Sequence, residues 1–404
     1  MEIKKKIKSF ILSSLVSKGN RKIGMEEEII IYNRNNKRLP VNRGEEFSAN
    51  DLIKILNKVE KNGVYSLEPG GQVEWSSLPY NNLIKLDQAQ KLKNINFDKI
   101  LDQNNLKKIS YGVDPFYEPE DIELINENKY ILMNQNMINN GTMGKWMMRN
   151  TASVQINFDF TGEQELEEMV FIADCIHPIG AFLFSNSPMM VGKKVKNKNI
   201  RNIIWNNTDN SRCGNLIDHN INTSENLVNK YIDYICEAPA IFQMDRSGKA
   251  QKTHGTLIDR LQYLDNINAL TNEDINSALR QVFTNVRLKN LVEVRGADRP
   301  PFGYEMAPVS FWTGLLTVDS IRFEIMKEIK NWEYEDRIRF NELSFLLDGS
   351  IKTIKNKKYS YWNKWFGELA IEGLKERGFG EEDLFKEFFN IVMNKGPFSL
   401  QYQL

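Results

Sequence analysis

Residues 153–160, "SVQINFDF", alternate without exception: Ser153, Gln155, Asn157 and Asp159 against Val154, Ile156, Phe158 and Phe160. Successive side chains of a strand point to opposite faces, so one face is apolar and the other carries only hydrogen-bonding groups. Such a strand belongs to a sheet with one side on a core and the other lining a polar space. Three further segments share this character. Residues 24–33, "GMEEEIIIYN", read as a strand with acids at its start. Residues 67–77, "LEPGGQVEWSS", read as a hairpin turning at Pro69-Gly70-Gly71. Residues 286–298, "VRLKNLVEVRGAD", read as one strand that sets Arg287, Lys289, Glu293 and Arg295 against Leu288, Val292 and Val294, with Leu291 out of step.

Between them lie helical segments at 50–61, 83–102, 310–331 and 360–393, and a long one over 163–188 expected to break near Pro178. Strands polar on one face, mixed with long helices, point to an α+β domain with a large antiparallel sheet. The polar face is then expected to be a wide cavity. With no repeat and no Pro/Gly/Ser linker, residues 1–404 read as a single catalytic domain. Residues 1–23 form its retained N-terminal amphipathic helix, and 360–404 its C-terminal helical part.

Charge and cysteine usage narrow the function. Lys plus Arg equals Asp plus Glu at 53 each, so no basic excess points to nucleic acid. We find no apolar run of the roughly 18–20 residues a membrane span needs. Cys175, Cys213 and Cys236 show neither zinc spacing nor a disulfide framework, which makes a reducing cytoplasm the expected compartment. Cys213, beside Arg212, is the one thiol worth testing for a low pKa. His177, in an apolar helix, reads as a core histidine. The scattered histidines and the lack of G-x-S-x-G give nucleophilic or zinc chemistry little support.

The acids carry the chemistry. Glu26 and Glu28, two apart on a strand, share a face and repel unless a cation lies between them. Glu74 follows the double-glycine turn, with Glu68 before it, and Asp159 and Glu293 lie on other strands. Read alone, "EEE" is a solvated charge run and the hairpin acids are exposed. Taken together, acids without Cys or His partners suit Mg2+ or Mn2+. Acids, arginines and amides in one cavity fit Mg-nucleotide chemistry, although no Walker A motif is present.

These residues resemble the plant-type glutamate-cysteine ligases of plants and proteobacteria. "RKIGMEEEI", "LEPGGQVEWS", "NNGTMGKWMMRNTASVQINFDF", "FLFSNSP", "NIRNIIWNNTDNSRCG", "VRLKNLVEVRGAD" and "ELAIEGLKERG" follow in the family's order. The resemblance implies a funnel-like antiparallel sheet of the glutamine synthetase and guanidino-kinase kind, surrounded by helices. It implies ATP-dependent joining of glutamate and cysteine through a γ-glutamyl phosphate, the first step of glutathione biosynthesis, by a monomer or homodimer. Glu26, Glu28, Glu74 and Glu293 look like metal ligands. Gln155, Asn157 and Arg295 look like nucleotide-side contacts. Arg201, Trp205, Lys129 and Phe160 look like substrate-binding residues, with Arg201 and Arg295 serving catalysis. Lys129, in "NENKYILM", stands where the family often has arginine, and a lysine cannot make the bidentate fork. Two alternatives remain open: a γ-glutamyl ligase for another amine or carboxylate, and a catalytically silent nucleotide-binding relative.

Overall fold

The computed structural model describes residues 2–42, 44 and 46–402. Its centre is a seven-stranded sheet, with every pairing antiparallel. The strands are β1 (Ile23–Asn33), β2 (Gly63–Leu67), β3 (Val73–Ser77), β4 (Leu106–Ile109), β5 (Ser153–Phe158), β6 (Val286–Leu288) and β7 (Val292–Asp298). Their order is β6-β7-β5-β1-β3-β2, and β4 pairs with the far half of β1.

Register makes the sheet two-faced. Glu28 sits opposite Glu74, Glu26 opposite both Ser76 and Gln155, and Asn157 opposite both Gly24 and Glu293. Ser66 likewise pairs with Glu74 and Arg287 with Glu293. Directly paired residues share a face, so the polar positions of six strands become one polar floor. The other face, with Met25, Val73, Trp75, Val154, Ile156, Phe158, Val292 and Val294, is buried in the main core. That core continues into the helices Glu163–Cys175, Met306–Leu316 and Tyr359–Arg377.

One acid points the other way. Glu27, between Glu26 and Glu28, lies within the core side. There Lys93 Nζ reaches it at 2.6 Å and Arg299 Nη2 at 2.9 Å, and Arg299 also pairs with Glu305 at 3.0 Å. A carboxylate out of water needs such compensation. Lys93 comes from the helix Leu83–Gln103, so this cluster pins β1 to the layer beneath it.

The sequence expectations hold or change in detail. Residues 286–298 are a hairpin, not one strand: Lys289 N–H donates to the Leu291 carbonyl, and Leu291 falls out of step because it lies in the turn. The long helix does break near Pro178, at Ile176, and Pro178 takes the first turn of the following helix, where its missing N–H is harmless. Residues 310–331 and 360–393 are each two helices. Val318 in extended geometry separates the first pair, and Gly378 in the left-handed region closes the first member of the second. The N-terminal helix, Glu2–Ile11, buries Ile3, Ile7 and Ile11, one apolar stripe at a spacing of four. Among the described residues, no helix is long and apolar enough to cross a membrane.

Candidate active site

A cavity of about 550 Å3 opens above the polar floor. The β2–β3 turn delivers its acids. Glu68 N–H donates to the Gln72 carbonyl and Gly71 N–H to the Glu68 carbonyl, closing the turn. Gly71 has φ +80°, and a Cβ on Gly70 would lie 2.5 Å from Cα of Arg149, so neither glycine has a comfortable replacement. Gln72, on the same strand face as Glu74 in sequence, is consumed by structure. Its Oε1 accepts from Gly70 N–H and its Nε2 donates to the Thr151 carbonyl at 2.8 Å.

Glu68, Glu28 and Glu74 converge. Each offers a carboxylate oxygen, and the three oxygens lie within 4.8 Å of one another. Among the described residues none of the three has an ion-pair partner. Gln155 Nε2 donates to Glu28 at 2.9 Å, and Ser66 and Ser76 donate to Glu74 at 3.1 and 3.3 Å. Burial, then the charge of Glu74, pushes the Glu28 carboxyl up to about 7, against the pull of Arg201 and Arg295. Burial and Glu28 do the same to Glu68, up to about 7, with Lys129 opposing. Glu74 is raised well above the usual range by burial and then by Glu68 and Glu26. Repelling carboxylates with oxygen-only surroundings form a site that fits a hard divalent cation. Glu26 lines the same cavity and accepts from Asn157 Nδ2 at 2.9 Å.

Glu293 differs. Arg287 grips it with both Nε and Nη2, Lys289 Nζ lies 3.1 Å away and Arg295 Nη1 3.4 Å. Burial works against the carboxylate, but Arg287, Lys289 and Arg295 hold it well below the usual range. Glu293 is thus a member of a cationic cluster, where sequence reasoning had placed a metal ligand.

The remaining expected residues divide. Lys129, Trp205, Gln155 and Arg295 line the cavity. Arg295 Nη1 donates to Gln155 Oε1 at 2.5 Å, and its guanidinium lies 5.8 Å from the Trp205 ring centre. Arg201 is buried and does not reach the wall: it stacks 5.6 Å from the Trp205 ring and donates to the Arg295 carbonyl at 3.4 Å. Its expected contact with substrate is replaced here by contact with two residues that do line the cavity. Asn157 bonds Glu26 rather than facing the open space. Phe160 is a correction: it lies two residues beyond the end of β5 and its side chain is fully buried in the main core. Asp159 lies beyond the end of β5 and accepts from Lys22 N–H at 3.0 Å, so it closes a strand end.

Cys213, the thiol worth testing for a low pKa, has a raised one. Burial, with Asp209 adding, pushes its thiol up to about 12 although Arg212 is adjacent, because Arg212 is already paired to Asp209 at 2.6 Å. His177 is the core histidine expected, its Nε2 bonded to Asn202 Oδ1 at 3.0 Å. Sequence reasoning left Glu68 open and passed over Lys289, Arg280 and Tyr130, which also line the cavity. The position of Glu68 directly before the double-glycine turn was the available signal.

Comparison with known proteins shows the family and the fold. The profile described as glutamate-cysteine ligase family 2 (GCS2) matches residues 22–343. The chloroplastic glutamate-cysteine ligase of Medicago truncatula is 27% identical over 342 residues, covering 81% of this chain and 64% of that protein. The chloroplastic enzyme of Arabidopsis thaliana is 27% identical over 346 residues, covering 84% and 65%. The chain therefore spans a little under two thirds of these curated relatives. A crystal structure of a Francisella tularensis glutamate-cysteine ligase in complex with AMP superimposes with TM-score 0.62 at 11% identity, covering 96% of this chain and 84% of that one, a likeness of fold. The chloroplastic relatives overturn the expectation of a cytoplasmic location. Few, unpaired cysteines mark a reducing compartment without saying which one.

Proposed function

The chain belongs to glutamate-cysteine ligase family 2, and from that premise we propose that it joins L-glutamate to L-cysteine at the expense of ATP, as the first step of glutathione formation. The observation that carries this reading is the convergence of Glu28, Glu68 and Glu74 on the floor of the cavity without an ion-pair partner among the described residues. These three acids, with Glu26 beside them, would hold a divalent cation, Mg2+ or Mn2+. When bound, that cation offsets charge on phosphate oxygens.

The chain's own residues position and shield. Transfer of the γ-phosphoryl group of ATP to the γ-carboxylate of glutamate gives a γ-glutamyl phosphate and ADP. The cysteine amine then attacks the acyl carbon, loses a proton, and inorganic phosphate leaves. Arg295, with Gln155 bonded to it, faces the cavity where transferring phosphate charge would need an arginine. Lys129 and Trp205 line the wall and would take the carboxylate and chain of glutamate, with Arg201 holding Trp205 and Arg295 from behind. No covalent residue is required, since alignment in a partly closed cavity supplies much of the acceleration. The whole chain is taken to act as one catalytic domain.

The test is ADP release from the purified protein with Mg-ATP and glutamate, adding one amino acid at a time. Strong dependence on cysteine is the expected result. Equal or better turnover with another amine would replace cysteine as acceptor, and no ADP under any condition would end the ligase reading.

A further inference from the structure

β7 does not run evenly beside β5. Val294 faces Ile156 and Ala297 faces Val154, so three residues of β7 advance over two of β5. The extra residue falls at Arg295–Gly296, opposite Gln155. Without it, Ala297 would follow Glu293 and Arg295 onto the polar floor. With it, Arg295 stays in the cavity bonded to Gln155, and Ala297 returns to the core. Bulges beside active sites commonly aim a side chain in this way.

The bulge is clasped from behind. His177, at the start of the helix His177–Leu183, lies against Gly296. A Cβ built on Gly296 would overlap the His177 ring, so glycine is needed there for space. The ring is 2% exposed, and its Nε2 bonds Asn202 Oδ1 at 3.0 Å. An amide oxygen only accepts, so Nε2 carries the proton. Burial, with Arg201 adding, lowers the ring to about 4, and it places no charge beside Arg201. Asn202 belongs to the helix Ile200–Asn206, which also supplies Arg201 and Trp205. Arg201 donates to the Arg295 carbonyl at 3.4 Å, and the Arg201 and Arg295 guanidiniums lie 5.6 and 5.8 Å from the Trp205 ring centre. The contacts close a loop: Arg295 and Gly296 to His177, His177 to Asn202, and Arg201 with Trp205 back to Arg295. Two of its members, Trp205 and Arg295, line the cavity.

We propose that His177 is a positioning residue for the ligation: through Gly296 and Asn202 it fixes the Arg295 bulge and the Trp205 helix relative to one another. This rests on the reading above, in which Arg295 and Trp205 serve the reaction. The His177 ring lies outside the cavity lining and acts through those two side chains. Asn202 Nδ2 is buried without a partner among the described residues, so the His177 bond is what orients this amide. A small displacement at the clasp is carried to both cavity residues, where catalysis is sensitive to alignment.

The test uses the full chain labelled with 5-fluorotryptophan and two replacements of the ring. His177→Gln keeps a donor close to the Nε2 position, and His177→Leu removes it at similar volume. In the ADP assay, His177→Leu should raise the KM for glutamate at least about fivefold and lower kcat at least about tenfold, and His177→Gln should recover most of both. Arg322→Met is the control for lost stability alone. It breaks buried ion pairs to Glu165 and Asp319 in the outer helices, so its melt should fall while its KM stays with the parent. The fluorine resonance of Trp205, identified with Trp205→Phe, should move or broaden in His177→Leu and return in His177→Gln. A parental KM or a parental Trp205 resonance in His177→Leu would overturn the proposal, and so would an equal KM shift in Arg322→Met. If His177→Leu does not fold, Asn202→Ala breaks the same bond from the other helix and decides by the same readouts. No ADP from the parent with any amine would remove the ligase reading, and the Trp205 resonance would then decide the clasp alone.

Discussion

At the scale of single residues, this protein keeps charge where it costs stability. Glu74 shares its space with Glu68, Glu28 and Glu26, and burial with the neighbouring acids raises its carboxyl well above the ordinary range. Glu74→Gln removes one source of that repulsion and one proposed cation ligand together. Without divalent metal the variant is expected to melt above the parent, while ADP formation falls by about 100-fold or more. A melt in EDTA and an ADP assay check the two halves separately. His177 works in the other direction. Burial, with Arg201 adding and the Asn202 bond opposing, lowers it from 6.5 to about 4. Between these values the folded ring is neutral while the unfolded one takes a proton. The contribution is therefore complete above pH 6.5 and is lost on acidification towards pH 4, amounting to about 3 kcal/mol. His177→Gln should flatten this part of the stability profile, measured by denaturant unfolding at several pH values.

At the scale of elements, β1 organises the site by serving both faces. Glu26 and Glu28 look into the cavity, and Glu27 is held beneath by Lys93 and Arg299. Lys93 is fully buried, against Trp75 and Phe97 at 5.2 and 5.7 Å from their ring centres. Lys93→Met keeps the volume and leaves Glu27, among the described residues, with Arg299 as its one ion-pair partner and the Gln90 hydrogen bond. We expect a loss of about 3 kcal/mol, the low end for breaking a buried pair, read from the urea midpoint at constant slope. A similar economy holds at the sheet edge. Asn57, from the helix Ala49–Val59, bonds both the N–H and the carbonyl of Tyr65 on β2 at 2.8 Å each. Its amide takes the place of a further strand and blunts an edge that would otherwise be open to pairing.

At the scale of the whole molecule, the floor is assembled from segments far apart in the chain: β1, the β2–β3 hairpin, β5 and the β6–β7 hairpin. Ligands that bridge its acidic and basic poles bind only the folded arrangement. A divalent cation with nucleotide at 100 times its dissociation constant is expected to add about 2.7 kcal/mol of stability, and EDTA to remove it. A thermal shift series in cation and nucleotide concentration measures this, and no concentration dependence would count against the cavity as a ligand site.

Much of this was legible in the sequence, for definite reasons. A period of two fixes which residues share a strand face, so Glu26 with Glu28, and Ser153, Gln155 and Asn157 together, followed from spacing alone. The double glycine before Glu74 announced a turn that no other residue pair fits. The tertiary structure decided what spacing cannot hold: which faces meet, and what each charge finds there. The register of β1 against β3 put Glu28 opposite Glu74, and the turn before β3 brought Glu68 to both. A turn at Lys289–Leu291, invisible in an alternation read as continuous, folded Arg287 back onto Glu293 and made an expected metal ligand the hub of three cations. Phe160 and Arg201 went into the interior for the same reason: depth is a property of the packed layers. The sequence by itself determined the kinds of groups available and their local facing. The fold alone set their distances, and Coulomb energy depends on distance and burial, so only the fold could separate the acids without an ion pair from the acid held by three cations within one cavity.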